Sequence, residues 1–279
     1  MTSATDKAYR RYLSALGWVG DPGLLALVRS HLIKVPFENV GRLLALEGEA
    51  PGPLDEVDAF LTDVEERSLG CAYYTANLHV AGLLRFLDYD VEILPAKVAG
   101  KGKAHAVLRV LHEDEPVLID LCSGAPLYEP IPLERDLPRR IPQGEREFVL
   151  DRHPLFKDTF ELSVHGFKGN GNTGKKTSIY TFKHEPVEAD VFTEPAAKAF
   201  APAAKFMKQL RITRFFDSRV LEIRDREFVT TAHNKTSRQQ LGSVEELENT
   251  VQELMLLDHC PVRRAVEILR DRQGVDLFK

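Results

Sequence analysis

Arg67-Ser68-Leu69-Gly70-Cys71-Ala72-Tyr73-Tyr74-Thr75 places a cysteine directly after a glycine turn, at the head of an amphipathic run. Ala76, Val80, Leu83, Leu84 and Leu87 follow at helical spacing, which predicts a helix with Cys71 in its first turn. There the unpaired backbone N–H groups and the positive end of the dipole favour thiolate over thiol. A nucleophile needs a base, and the base an orienting group; His105 and Asp120 follow in that order. Residues 104–111 and 117–121 read as strands of branched residues joined through 112–116, hence a hairpin. A two-residue loop would set His105 opposite Asp120, and a four-residue loop would make them diagonal neighbours; either brings a carboxylate to an imidazole. Singly, each residue has an ordinary alternative, Cys71 as a small buried hydrophobe and His105 as a satisfied polar group. Their combination makes Cys71, His105 and Asp120 the candidate catalytic set.

Upstream, residues 6–16 and 22–34 carry apolar side chains at three- and four-residue spacing, the second run beginning with Asp21 as cap and Pro22 in the first turn. Val35 must leave the helical region because Pro36 follows it. A loop at 47–53 and a helix at 54–66 then lead to the cysteine. From residue 90 the pattern changes to short β-branched runs at 91–98, 104–111, 117–121, 147–150, 160–164 and 178–184, predicting a compact antiparallel β domain. Helical spacing returns at 194–210. Strands are expected at 215–223 and 226–231, and helices at 244–256 and 262–269, so the chain closes as a small α/β unit.

With 279 residues, 43% of them hydrophobic, the chain has material for two or three packed units. A net charge of -5 gives no basic footprint for nucleic acid, and small-molecule chemistry fits better. Cys71, Cys122 and Cys260 are too few and too scattered for a disulfide framework or a metal site, so no metal and a reducing compartment are expected. Residues 1–11 are polar and no run of 18 apolar residues occurs, so no membrane partner and a cytoplasmic location are expected. Gly169-Asn170-Gly171-Asn172-Thr173-Gly174-Lys175-Lys176 approaches a phosphate-binding loop. Lys176, however, stands where the Mg²⁺-binding hydroxyl belongs, and a strand-like run follows instead of a helix. His79, eight residues beyond Cys71, is about two turns away and reads as surface or packing.

The chain carries H-x-x-x-[IV]-P-F-E-N as His31, Val35, Pro36, Phe37, Glu38 and Asn39. Arg67 stands four residues before Cys71, and His105 stands fifteen before the aspartate of Asp120-Leu121-Cys122-Ser123-Gly124. Pro202 and Phe206 match a weaker motif, and in these four matches the chain resembles the arylamine N-acetyltransferase family. The paired glycines that the family places before its cysteine are here Ser68 and Leu69. The resemblance implies an α+β fold with an N-terminal helical bundle (1–88) carrying the nucleophile, a central antiparallel β-barrel (89–190) carrying His105 and Asp120, and a C-terminal α/β lid (191–279). It further implies a cysteine-protease-like Cys-His-Asp core, acetyl-CoA as acyl donor, and ping-pong transfer through an acyl-cysteine to an arylamine or hydrazine-like amine. Lys101 and Lys103 are candidates for the CoA phosphates, with ordinary solvated loop lysines as the equal alternative. Glu38 and Arg67 are expected to pair beneath the site and pin the first loop to the cysteine turn. A thiol hydrolase or amide-forming enzyme on the same scaffold, or a binding relative without activity, are the competing readings.

Overall fold

The computed structural model describes residues 4–52, 54, 56–70, 75–98, 102–166, 168–169 and 172–279, with backbone alone at 103, 168–169 and 172–173. Helices α1 (Ala4–Ala15) and α2 (Leu24–Lys34) lead to a two-residue strand β1 (Phe37–Glu38), a short helix α3 (Val40–Ala45), and then α4 (Val57–Arg67) and α5 (Thr75–Phe86). Each long helix buries one stripe: Ala8, Tyr12 and Leu13 on α1, and Asn77, Val80, Ala81 and Leu84 on α5. Val35, ahead of Pro36, takes φ -100° and ψ 113°, and this extended step ends α2.

The strands β2 (Asp90–Val98), β3 (Gly102–His112), β4 (Glu115–Ile119), β5 (Ile131–Pro132), β6 (Arg139–Gln143), β7 (Arg146–Arg152) and β8 (Thr159–Gly166) follow. A small pair β9 (Lys168–Gly169) and β10 (Asn172–Thr173) precedes β11 (Lys176–Lys183). Eight of these strands form one antiparallel sheet, β5-β4-β3-β2-β11-β8-β7-β6, curled into a nearly closed barrel. Alternation divides its faces: Leu94, Ala96, Val107, Tyr180 and Phe182 fill the interior, while Val91, Ile93, Leu108 and Val110 pack against the helices. The phosphate-loop-like run contributes β9, β10 and the first residue of β11, so a strand stands where a helix would be required.

The β3–β4 connection is the two-residue turn Glu113–Asp114, both at positive φ (51° and 62°). It pairs His112 with Glu115 and Leu108 with Ile119. The expectation that a two-residue loop makes His105 face Asp120 is therefore corrected. The turn lies one residue later than that register needs, which shifts the partner by two and makes the pair diagonal.

The remaining chain forms α6 (Thr193–Phe200), β12 (Arg211–Phe215), β13 (Arg219–Arg224), β14 (Glu227–Ala232), β15 (Lys235–Gln240), α7 (Val244–Asn249) and α8 (Val262–Gln273). Its sheet runs β1-β12-β13-β14-β15, so Phe37 and Glu38 of the P-F-E-N motif form its edge strand. Two expectations change here. The helix predicted over 194–210 stops at Phe200, because Ala201 precedes Pro202 and takes ψ 141°. The strand predicted over 215–223 is broken by a turn in which the Phe216 N–H donates to the Arg219 carbonyl. Among the described residues, no helix is long and apolar enough to cross a membrane.

Candidate active site

His105 and Asp120 meet at the barrel end. Asp120 lies just past β4 and His105 on β3, and His105 Nε2 stands 3.1 Å from Asp120 Oδ1. The carboxylate is 1% exposed, yet every neighbour donates to it. Asn77 Nδ2 reaches Oδ1 at 2.8 Å, the Cys122 N–H reaches Oδ1 at 3.0 Å, and the Tyr180 hydroxyl reaches Oδ2 at 2.8 Å. Burial alone would raise this carboxyl. The His105 ring beside it, with the donors from Asn77 and Cys122, outweighs that penalty and holds it at about 2. An ionised carboxylate only accepts, so His105 donates to it from Nε2, and Nδ1 is the ring nitrogen not bound to Asp120. The Tyr180 ring stacks on His105, with centroids 5.1 Å apart, and fixes the plane of the imidazole. Burial and the adjacent carboxylate push the Tyr180 phenol well above its ordinary range, so it stays a donor.

Asn77 joins the helix to the barrel. Besides Asp120, its Nδ2 donates to the Ala106 carbonyl (2.7 Å) and its Oδ1 accepts the Leu121 N–H (2.9 Å), so all three bonds converge on the strands that carry His105 and Asp120. Sequence reading missed it. The signal was present: an amide at 77 shares the apolar stripe of Val80, Ala81 and Leu84, and a buried amide there requires partners. Tyr180 carried no such signal, because it is an ordinary inward residue of an alternating strand.

The approach to residue 71 is built by Glu38. Its Oε2 accepts the Gly41 N–H at 2.9 Å, and its Oε1 accepts the Gly70 N–H at 3.2 Å. The expected Glu38–Arg67 pair is corrected. Arg67 Nη1 instead bonds Asp63 Oδ1 at 3.0 Å, one helical turn back on the same helix, where the partner is supplied locally. Glu38 still ties the first loop to the turn before the cysteine, through backbone N–H groups. Burial raises its carboxyl pKa, and the Gly41 and Gly70 bonds only partly offset this. Gly70 is obligatory for a steric reason, since a Cβ there would stand 1.8 Å from the Pro36 carbonyl oxygen. Ser68, where the family resemblance puts glycine, takes the left-handed conformation (φ 50°, ψ 31°). Next along, Asn39 donates to the Phe206 and Gln209 carbonyls and accepts the Arg211 N–H, fastening the loop to β12. Phe37 meets Phe206 edge-on and lies 3.5 Å from where a Cβ on Gly124 would be.

His31 is buried against the Tyr12 hydroxyl (2.7 Å), and burial, with His79 nearby, lowers its pKa to about 3. His79, expected at the surface or in packing, is a packing residue stacked on Phe60 at 4.9 Å, and burial lowers it to about 4. Both rings are neutral core groups. Cys71 and Lys101 lie outside the described residues, as does the Lys103 side chain, so the structure brings together His105 and Asp120 of the predicted set. Among the described residues no group of His, Cys, Asp or Glu is arranged to hold a metal ion.

A family model described as N-acetyltransferase matches residues 22–258. The chain belongs to the N-acetyltransferase family. It is therefore an acetyltransferase, and the resemblance carried by Glu38, Arg67, Cys71, His105 and Asp120 identified the right family. The fold of this N-acetyltransferase is similar to solved arylamine N-acetyltransferases. That from Salmonella typhimurium is 21% identical, with 91% of this chain and 92% of that chain covered and a TM-score of 0.71. That from Mycobacterium smegmatis is 24% identical, with 92% and 97% covered and a TM-score of 0.71. That from Mycobacterium marinum, solved in complex with CoA, is 19% identical, with 94% and 98% covered and a TM-score of 0.75. No curated protein sequence matches the chain.

Proposed function

We propose that this N-acetyltransferase moves an acetyl group from acetyl-CoA through an acetyl-cysteine at Cys71 to the nitrogen of an arylamine or hydrazine-like acceptor. The observation that carries the reading is the buried His105–Asp120 pair, in which Nε2 faces the carboxylate and Nδ1 is not bound to it. In the first half-reaction His105 Nδ1 takes the Cys71 proton and the sulfur attacks the thioester carbonyl. The C–S bond to CoA breaks, and the departing thiolate takes the proton from the imidazolium. One thioester replaces another, a nearly level step, so orientation and proton handling are what the protein must supply. In the second half-reaction the amine nitrogen attacks the acetyl carbonyl, His105 takes the amine proton, and the Cys71 thiolate leaves and recovers it. Asp120, ionised throughout, steadies the imidazolium without taking its proton. CoA as donor is supported by the similar M. marinum structure, which is a CoA complex; Lys101 and Lys103 are the candidates for its phosphates.

Mass spectrometry of the intact protein after incubation with acetyl-CoA tests the scheme. One acetyl group is expected on Cys71, discharged by an aromatic amine and missing from Cys71→Ala. Absence of the adduct would refute the scheme, and an adduct that water alone discharges as fast as the amine would replace it with a hydrolase.

A further inference from the structure

A concavity of about 290 Å³ opens on the outer wall of the barrel. It is built on β2 and β11, the strands whose inward residues include Ala96 and Tyr180; Lys97, Thr181 and Lys183 alternate to the other face and line it. Pro95 supplies apolar lining, and Phe156, from the β7–β8 connection and 59% exposed, supplies an open aromatic wall. Apart from Glu185, the polar side chains here can donate. Lys97 and Lys183 take part in no ion pair among the described residues, the nearby pairs being those of Arg109 and His184 with Glu92 and of Lys176 with Glu161. His153 accepts the Leu155 N–H at Nδ1 (3.2 Å), which leaves its ring proton on Nε2. The Thr159 hydroxyl has no hydrogen-bond partner although the residue is 6% exposed.

A buried hydroxyl without a partner is unfavourable, so something polar belongs beside it. The two lysines and Glu185, the one carboxylate of the lining, together leave a single net positive charge. That balance suits a monoanion and disfavours a polyphosphate. The aromatic and proline surfaces suit a flat apolar body, and the volume lies near the lower end of small-ligand sites. We propose that this outer-wall pocket binds a small aromatic carboxylate, its ring against Phe156 and Pro95 and its oxygens on Lys97, Lys183 and the Thr159 hydroxyl.

Titration of the whole protein with 4-fluorobenzoate, followed by ¹⁹F NMR, tests this directly. Saturable binding is expected that persists with CoA present and that uncharged 4-fluorotoluene does not reproduce. Lys97→Ala and Lys183→Ala should each weaken it about tenfold, and Thr159→Val, which keeps the volume and loses the hydroxyl, severalfold. Unchanged thermal melting of the lysine variants shows that the fold is intact. Any of four results overturns the proposal: no saturable binding, binding abolished by CoA, equal binding of 4-fluorotoluene, or unchanged affinity in the doubly substituted Lys97→Ala/Lys183→Ala protein.

Discussion

Asp120, beside His105, and Glu38, bound to Gly70 just before the predicted nucleophile, are both buried carboxylates, and they are held in opposite electrostatic states. Asp120 gathers the His105 ring, the Asn77 amide, the Tyr180 hydroxyl and a backbone N–H, and its carboxyl falls to about 2. Glu38 gathers the Gly41 and Gly70 backbone N–H groups, and its carboxyl rises. Burial opposes ionisation at both, and a titratable ring with two side-chain donors reverses it at only one. The first arrangement suits a group that must stay charged beside an imidazole. The second suits a latch that shapes a loop and gains little from its charge.

The difference is sharpest under substitution. Asp120→Asn keeps the volume and removes the charge that fixes the His105 tautomer. Acetyl transfer is expected to fall by about 10³- to 10⁴-fold in kcat, with the fold retained by circular dichroism. Next comes Asn77→Ala, which breaks three buried bonds and leaves the Leu121 N–H and the Ala106 carbonyl short of partners. Stability should drop by about 2–4 kcal/mol in urea unfolding, and activity more than tenfold, whereas loss of stability alone would make Asn77 purely structural.

At Glu38 the sign of the pH dependence separates the two carboxylates. Because its folded pKa lies above the ordinary 4.5, its contribution is complete below 4.5 and is lost as pH rises through the raised value. Asp120 behaves in the reverse sense: its folded pKa of about 2 lies below the ordinary 3.8, so its contribution, about 2 kcal/mol, is present above 3.8 and lost as pH falls through about 2. Glu38→Gln should therefore cost about 1–2 kcal/mol near pH 5 and less near pH 8; a deficit that grows with pH would mean that Glu38 works as a charged group. The smallest effect is expected at Ser68, whose left-handed conformation glycine adopts without strain. Ser68→Gly should stabilise the protein by up to about 1 kcal/mol, and a loss would show that the Ser68 hydroxyl, 3.4 Å from the His259 N–H, matters more than its backbone.

The same two carboxylates mark what the sequence disclosed and what it withheld. His105 and Asp120 were legible because both lie on one hairpin, where strand alternation and a short turn bring them together whatever the rest of the chain does. Glu38 and Arg67 lie on separate elements, so their pairing could not be read locally, whereas Asp63, four residues before Arg67 on its own helix, was the local partner that the reading passed over. Asn77 was hidden for a related reason, since its three partners come from β3 and the end of β4. The polar edge strand β15 and the short helix α3 also went unread. The first has no apolar alternation, and the second is too brief for a helical period to show.

The pH dependence of Cys71 alkylation by iodoacetamide, in the wild type and in His105→Gln, tests most directly whether the His105–Asp120 pair serves that thiol. The wild-type rate is expected to rise with an apparent pKa well below the free-cysteine value of about 8.5, returning to near that value in the variant. Superimposable profiles from the two proteins would contradict it.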